Sequence, residues 1–275
     1  MAVAVSEVYG ARSPAVRDTG NLLTVLLLAG GCLNGLLVRI SEAWQMHGLE
    51  SPLMGISPFE ILAIVIGARA ILASGPAVSA LAPWPELALG AAMLAPSSAV
   101  AWVAVAAYAL LGAAQSQGER RAGFLLFLAL AACSIWSSVL LKALAGPVAA
   151  LDGRAVWGIL TWFRNDMVLT GNVVGVPTGH NLIILTACTS ASVMPKALLG
   201  VAALTMLAGG RSARRLGLAT AGVAAVCIAI NLLRLTLMAS SGDLYALVHG
   251  PIGANVFDAA QMLAAAGFGL WAVRS

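Results

Sequence analysis

Long apolar runs dominate the chain, each near the ~20 residues that carry a helix across the hydrocarbon of a bilayer. They fall near 21–40, 57–75, 77–95, 98–115, 122–145, 189–208, 216–240 and 252–273, with the third and fourth separated only by "APSS". This pattern predicts an all-α polytopic membrane protein of about eight transmembrane helices, forming one integral domain over residues 1–275. Basic residues stand in short islands between the runs: "GERR" at 118–121, "RSARR" at 211–215 and Arg274. Short loops rich in Lys and Arg stay cytoplasmic, so both termini are expected inside, with 41–56, 146–188 and 241–251 facing outward.

The outward segment 146–188 has a pattern of its own. "RAVWGILTWFRN" (154–165) sets Trp157, Trp162 and Phe163 between arginines, as in a short helix lying in the membrane interface. "VLTGNVVGVPTGHNLIIL" (168–185) has β-branched residues punctuated by Gly, Asn and Pro, which predicts a β-hairpin feeding straight into Cys188. At the other end of the chain, Arg12 and Arg17 precede an apolar run containing "LAGGC", which imitates a lipoprotein cleavage site. Ala29 replaces the usual Leu three residues before Cys32, and the run continues to spanning length, so an uncleaved first helix is expected.

Composition narrows the class further. Of 275 residues, 60% are hydrophobic and 9% charged, far below the roughly 25% charged fraction of soluble domains. The net charge of +4 is spent on the islands, which reads as topology signalling and not as a nucleic-acid surface. Four cysteines and three histidines show no metal-type spacing, so neither a metal nor another cofactor is expected. Cys32, Cys133 and Cys227 sit inside apolar runs, where cysteine behaves as a small hydrophobe.

Cys188 is different: "LTACTSASVMPK" (185–196) puts it at the mouth of a helix, among hydroxyl residues. There the helix macrodipole favours a thiolate, while Thr189, Ser190 and Ser192 could cap free N–H groups. Arg234 lies in "INLLRLTLMASSG", about 9 Å below the helix end at Ser240. Helical side chains lean toward their own N-terminus, here away from the near surface, so Arg234 is better placed to face the bundle interior than to snorkel. Lys196, on a helix of opposite direction, leans outward and can snorkel. Asn231 shares the Arg234 face at the i, i+3 spacing. For a proton carrier, His249 in "VHGP" competes with His180 in "PTGHN", and His47 is weaker than either. Cys, Arg and His at one membrane face are the parts of a thiol-nucleophile site.

At these residues the chain resembles the exosortase and archaeosortase family of polytopic membrane transpeptidases. The resemblance covers about residues 120 to 273 and rests on "ACTS" (Ala187 to Ser190), "NLLR" (Asn231 to Arg234) and "HG" (His249, Gly250), in that order. Ser190 replaces the glycine of the family's cysteine motif, a change that bears on how closely substrate backbone could approach. The four N-terminal helices carry no matching motif. The resemblance implies cleavage of a C-terminal sorting signal of the PEP-CTERM kind and transfer of the new terminus to an envelope acceptor, lipid or glycan. Its substrates would be membrane-anchored exported proteins, its location the bacterial inner membrane, and its active site the outer face. It also implies Cys188 as nucleophile, Arg234 as oxyanion or substrate ligand and His249 as proton carrier, with Asn231, His180, Thr189 and Ser190 in support. Two other readings of the same residues stand beside it: a transporter or channel with Arg234 as anion ligand, and a non-catalytic component of exopolysaccharide assembly.

Overall fold

The computed structural model describes residues 14–47, 56–75, 83–209 and 212–274. Its elements are helices α1 (Pro14–His47), α2 (Pro58–Leu72), α3 (Pro83–Met93), α4 (Ser98–Gln115) and α5 (Gly118–Ile135). A π-turn, Trp136–Leu140, and the short α6 (Leu141–Ala143) prolong α5, and α7 (Ala145–Leu160) follows. Then come strands β1 (Val168–Thr170), β2 (Val173–Gly175) and β3 (Asn181–Ile183), a 3-10 turn (Thr186–Cys188), and helices α8 (Ser190–Leu207), α9 (Ala213–Ser240), α10 (Gly242–His249) and α11 (Pro251–Val273).

Each of the eight apolar runs contains a helix, but among the described residues six are long and apolar enough to cross a membrane: Gly20–Ser41, Ser98–Gln115, Gly118–Ala143, Ser190–Leu207, Ala213–Ser240 and Pro251–Val273. These make the chain a helical protein of multi-pass membrane character. The eight-span expectation fails at α2 and α3, which at 15 and 11 residues reach about 22 and 17 Å against a hydrocarbon core of about 30 Å. Turn-forming residues truncate both. α2 opens on a capping box, in which the Glu60 carboxylate accepts the Ser57 N–H at 2.7 Å and the Ser57 hydroxyl oxygen accepts the Phe59 N–H at 3.3 Å. It closes where the Ser74 hydroxyl bonds back to the Ala70 carbonyl. α3 stops before Pro96, where a helix cannot continue unbroken.

Four other expectations shift. "GERR" belongs to the first turn of α5 instead of a loop. The segment 241–251 contains α10, capped by the Ser241 hydroxyl. The helix expected in the membrane interface begins at Ala145 and ends at Leu160, so Trp162 and Phe163 stand in the turn beyond it, 87% and 80% exposed. The hairpin is a three-stranded antiparallel meander, β1-β2-β3, with Leu169 opposite Val174 and Val174 opposite Leu182. His47 is the last residue of α1, and residues 48–55 of the segment 41–56 lie outside the described residues.

The chain folds as two compact units, Met1–Gly48 with Gly67–Leu128, and Leu49–Ile66 with Ala129–Ser275. In the first, small residues let helices approach closely. Gly35 lies under the buried Trp102 indole, and Asn34 donates to the Met93 and Ala95 carbonyls at 2.9 Å, tying off the end of α3. The second unit has two apolar clusters. One, of Ala197, Val201, Ala219, Val223, Cys227, Ala265 and Ala272, joins α8, α9 and α11. The other packs the inner face of the sheet (Val174, Leu182) on the α7 stripe Ala149, Val156 and Leu160 and on Leu235, Met238 and Ala239 of α9.

The crossing of α2 with α5 in the first unit depends on Gly123, where a β-carbon would stand 2.8 Å from the Gly67 carbonyl oxygen and 2.9 Å from Ile71. Gly123→Val should cost about 1–3 kcal/mol, read as a lower melting temperature in detergent. Gly217→Ala, at a helical position with open space around it, should not lower it.

Candidate functional site

Cys188 is held by its backbone. From β3 the chain passes through Ile184 and Leu185 into the 3-10 turn, where the Cys188 N–H donates to the Leu185 carbonyl at 2.9 Å. The Thr189 hydroxyl donates to the Thr186 carbonyl at 2.7 Å and locks the same turn. The Cys188 carbonyl accepts from Nδ2 of Asn231 at 3.0 Å, and the same amide donates to the Ser190 hydroxyl at 3.2 Å. A carbonyl can only accept, so the NH2 end of Asn231 must face it. Asn231 is 0% exposed and shares a buried stripe of α9 with Leu235 and Met238. Cys188 itself is half-buried against the apolar cluster that includes Leu235, Met238 and Val248.

Asp152 is the site residue that the linear pattern does not reveal. It is 7% exposed on α7, and its carboxylate accepts the Ser190 N–H at 2.7 Å across 38 residues of chain. Thr189, the N-cap of α8, makes no side-chain cap bond, and Ser192 donates back to the Ala187 and Thr189 carbonyls. The expected caps therefore point the wrong way, and a distant carboxylate takes their place. Cys188 also lies two residues before α8, whose positive dipole end is met by Asp152. The one available clue in sequence is an acid within "AGPVAALDGRAVW" on the same stripe as Ala149 and Val156.

Pro195 sets the next turn of α8. Lacking an N–H, it leaves the Ala191 carbonyl free of its helical partner, and the Trp136 indole N–H donates to that oxygen at 2.8 Å. The Cys133 thiol donates to the Pro195 carbonyl at 3.3 Å. Trp136 opens the π-turn, whose Ser137 and Ser138 hydroxyls bond back to the carbonyls of Cys133 and Ser134.

Arg234 follows Asn231 by about one helical turn. Among the described residues it has no hydrogen bond or ion pair, and its Nε is buried with no partner. Asn231 Oδ1 and Thr236 Oγ1 are likewise buried and unsatisfied. Arg164 shows the contrast, paired with Asp166 at 2.8 Å and donating to the Ser240 carbonyl at 3.3 Å.

The two histidines belong to one aromatic column. His180 Nε2 lies 2.8 Å from the Met238 carbonyl, so that nitrogen carries the proton in this bond and Nδ1 keeps a free lone pair when the ring is neutral. Tyr245 stands between them, tilted on His180 at 5.6 Å and stacked on His249 at 5.0 Å. His249 ends α10 and is exposed. The arrangement thus ties Cys188, Ser190 and Asn231 together directly, sets Arg234 on the neighbouring turn, and links His180 to His249 through Tyr245.

Burial pushes the Asp152 carboxyl above the ordinary carboxylate range, and hydrogen bonding from Ser190 only partly offsets this. The folded chain then holds this proton more tightly than the unfolded chain. The stability tied to it is complete below the ordinary carboxylate range and is lost as pH rises through the raised value. Relative to Asp152→Asn, which does not titrate, the wild type should lose stability across that window, by at most about 1.4 kcal/mol per pH unit, and run parallel above it. Melting temperatures in detergent against pH read this; a relative gain over the same window would contradict it.

Comparison of the chain with protein-family models, with characterised proteins and with solved structures gives no match in any of the three.

Proposed function

We propose that the chain is a membrane-embedded cysteine transpeptidase or protease of the exosortase kind, acting on the C-terminal sorting signal of exported, membrane-anchored proteins. The observation that carries this reading is the unpaired Arg234 guanidinium, one turn of α9 from the amide that grips the Cys188 carbonyl. An arginine within a spanning helix costs roughly 2.5–3.5 kcal/mol. No anion of the protein compensates it among the described residues, so an anionic group from outside, transient or bound, is its natural partner.

In this mechanism the Cys188 sulfur attacks the scissile carbonyl carbon while its proton passes to an imidazole. Charge developing on the carbonyl oxygen is met by Arg234. The C–N bond then breaks, the imidazole returns the proton to the departing amine, and the acyl group stays on sulfur as a thioester. An acceptor nucleophile, lipid, glycan or water, releases it. His249 is the imidazole of the resembled motif; His180, with one nitrogen committed to Met238, retains Nδ1 for the same task.

The free guanidinium equally favours a transporter in which it binds a permeating anion, and the cysteine separates the two readings. Incubation of the purified chain with a PEP-CTERM-type membrane-anchored substrate should leave an acyl adduct on Cys188, mapped by mass spectrometry. Cys188→Ala and Arg234→Ala should abolish processing, by at least about 100-fold as for loss of a transition-state ligand, with membrane insertion unchanged. Processing that survives Cys188→Ala rules out the thiol mechanism. Anion flux into liposomes that survives it and disappears in Arg234→Ala establishes the transporter.

A further inference from the structure

We infer that Asp152 is a positioning residue for Cys188: through Ser190 it fixes the turn that carries the thiol and keeps the sulfur in register with the Arg234 guanidinium. The inference deepens the proposed function and rests on it for the roles of Cys188 and Arg234. Three bonds define the device. Asp152 accepts the Ser190 N–H at 2.7 Å, and Asn231 donates to both the Ser190 hydroxyl and the Cys188 carbonyl. The backbone from 188 to 190 is thereby held from α7 on one side and α9 on the other. Arg234 is carried by α9 too, so the amide that fixes the turn also sets its distance from the guanidinium.

Two features separate this from an ordinary helix cap. A cap needs only a local oxygen, and Thr189, Ser190 and Ser192 stand at the helix start with hydroxyls that turn elsewhere. Instead a carboxylate that is 7% exposed, with its carboxyl pushed above the ordinary range, is used at the cost of its desolvation. Asn231, which holds Ser190 and Cys188 from α9, is also the residue whose remaining oxygen is left unsatisfied. Burial of this kind accords with a need for fixed geometry more than with stability.

The test compares alkylation of Cys188 by iodoacetate and by iodoacetamide in the full-length protein in detergent, with peptide mapping to follow each cysteine separately. Both reagents react with the same thiolate, forming a C–S bond and expelling iodide. Their rate ratio therefore cancels thiol acidity and general access and reports the charge near the sulfur. In the wild type the ratio should exceed that of Arg234→Gln about threefold, the factor for unit charges about 6 Å apart in a water-like medium. Asp152→Ala should bring the ratio down to the Arg234→Gln level, and Asp152→Asn, which keeps an acceptor for the Ser190 N–H, should hold it at or above the wild-type value. Removal of a negative charge alone would raise the ratio in both variants, so the sign distinguishes geometry from electrostatics. Ser190→Ala, which cuts the hydroxyl link but keeps the N–H bond, should fall in between and serves if Asp152→Ala does not fold. A ratio unchanged or raised in folded Asp152→Ala, whatever its melting temperature, overturns the inference and leaves the transpeptidase reading intact. A wild-type ratio equal to that of Arg234→Gln sinks both.

Discussion

One buried carboxamide organises the part of the second unit that carries Cys188. Asn231 has no solvent contact, and its two N–H groups serve the Cys188 carbonyl and the Ser190 hydroxyl. Without it the part-buried Cys188 carbonyl and the buried Ser190 hydroxyl would each lose a donor, and the buried hydroxyl alone would cost roughly 1–3 kcal/mol. The same bonds fasten the turn after β3 to the middle of a membrane-length helix. From that fastening follow the start of α8, the buried placement of Asp152 and the position of Cys188 relative to α9.

Around this centre the polar groups divide into those that are satisfied and those that are not. Trp136 answers the carbonyl freed by Pro195, Asp152 answers the first N–H of α8, and His180 answers the end of α9. Arg234 Nε, Asn231 Oδ1 and Thr236 Oγ1 are buried without an answer and fall within two turns of one helix. Unsatisfied groups are few in native proteins because each costs desolvation without return. Their concentration on the helix that holds the Cys188 turn is the physical basis for reading this region as a candidate site.

Much of the site was legible in the sequence as an inventory of residues, less of it as a set of bonds. Polar residues in apolar helices are conspicuous, so Arg234 and Asn231 could be paired by helical spacing alone, and "ACTS" marked the turn before α8. Asp152 was not legible, because its partner lies 38 residues away and a lone acid in a short amphipathic helix is ordinarily solvated. The hydroxyls of Thr189 and Ser192 misled for a related reason: their local carbonyls compete for them once a distant carboxylate has taken the N–H.

The sequence by itself determined where the helices lie, since a hydrophobic run and its polar breaks are local properties of the chain, and α4, α8, α9 and α11 match their runs within three residues at either end. It also determined that the segment before Cys188 is extended and turn-rich. Only the tertiary structure decided that the hairpin takes a third strand and that α8 is capped from α7. Hydrophobic patterning reports what a residue prefers as a solvent, whereas a hydrogen bond between distant residues depends on where packing brings them.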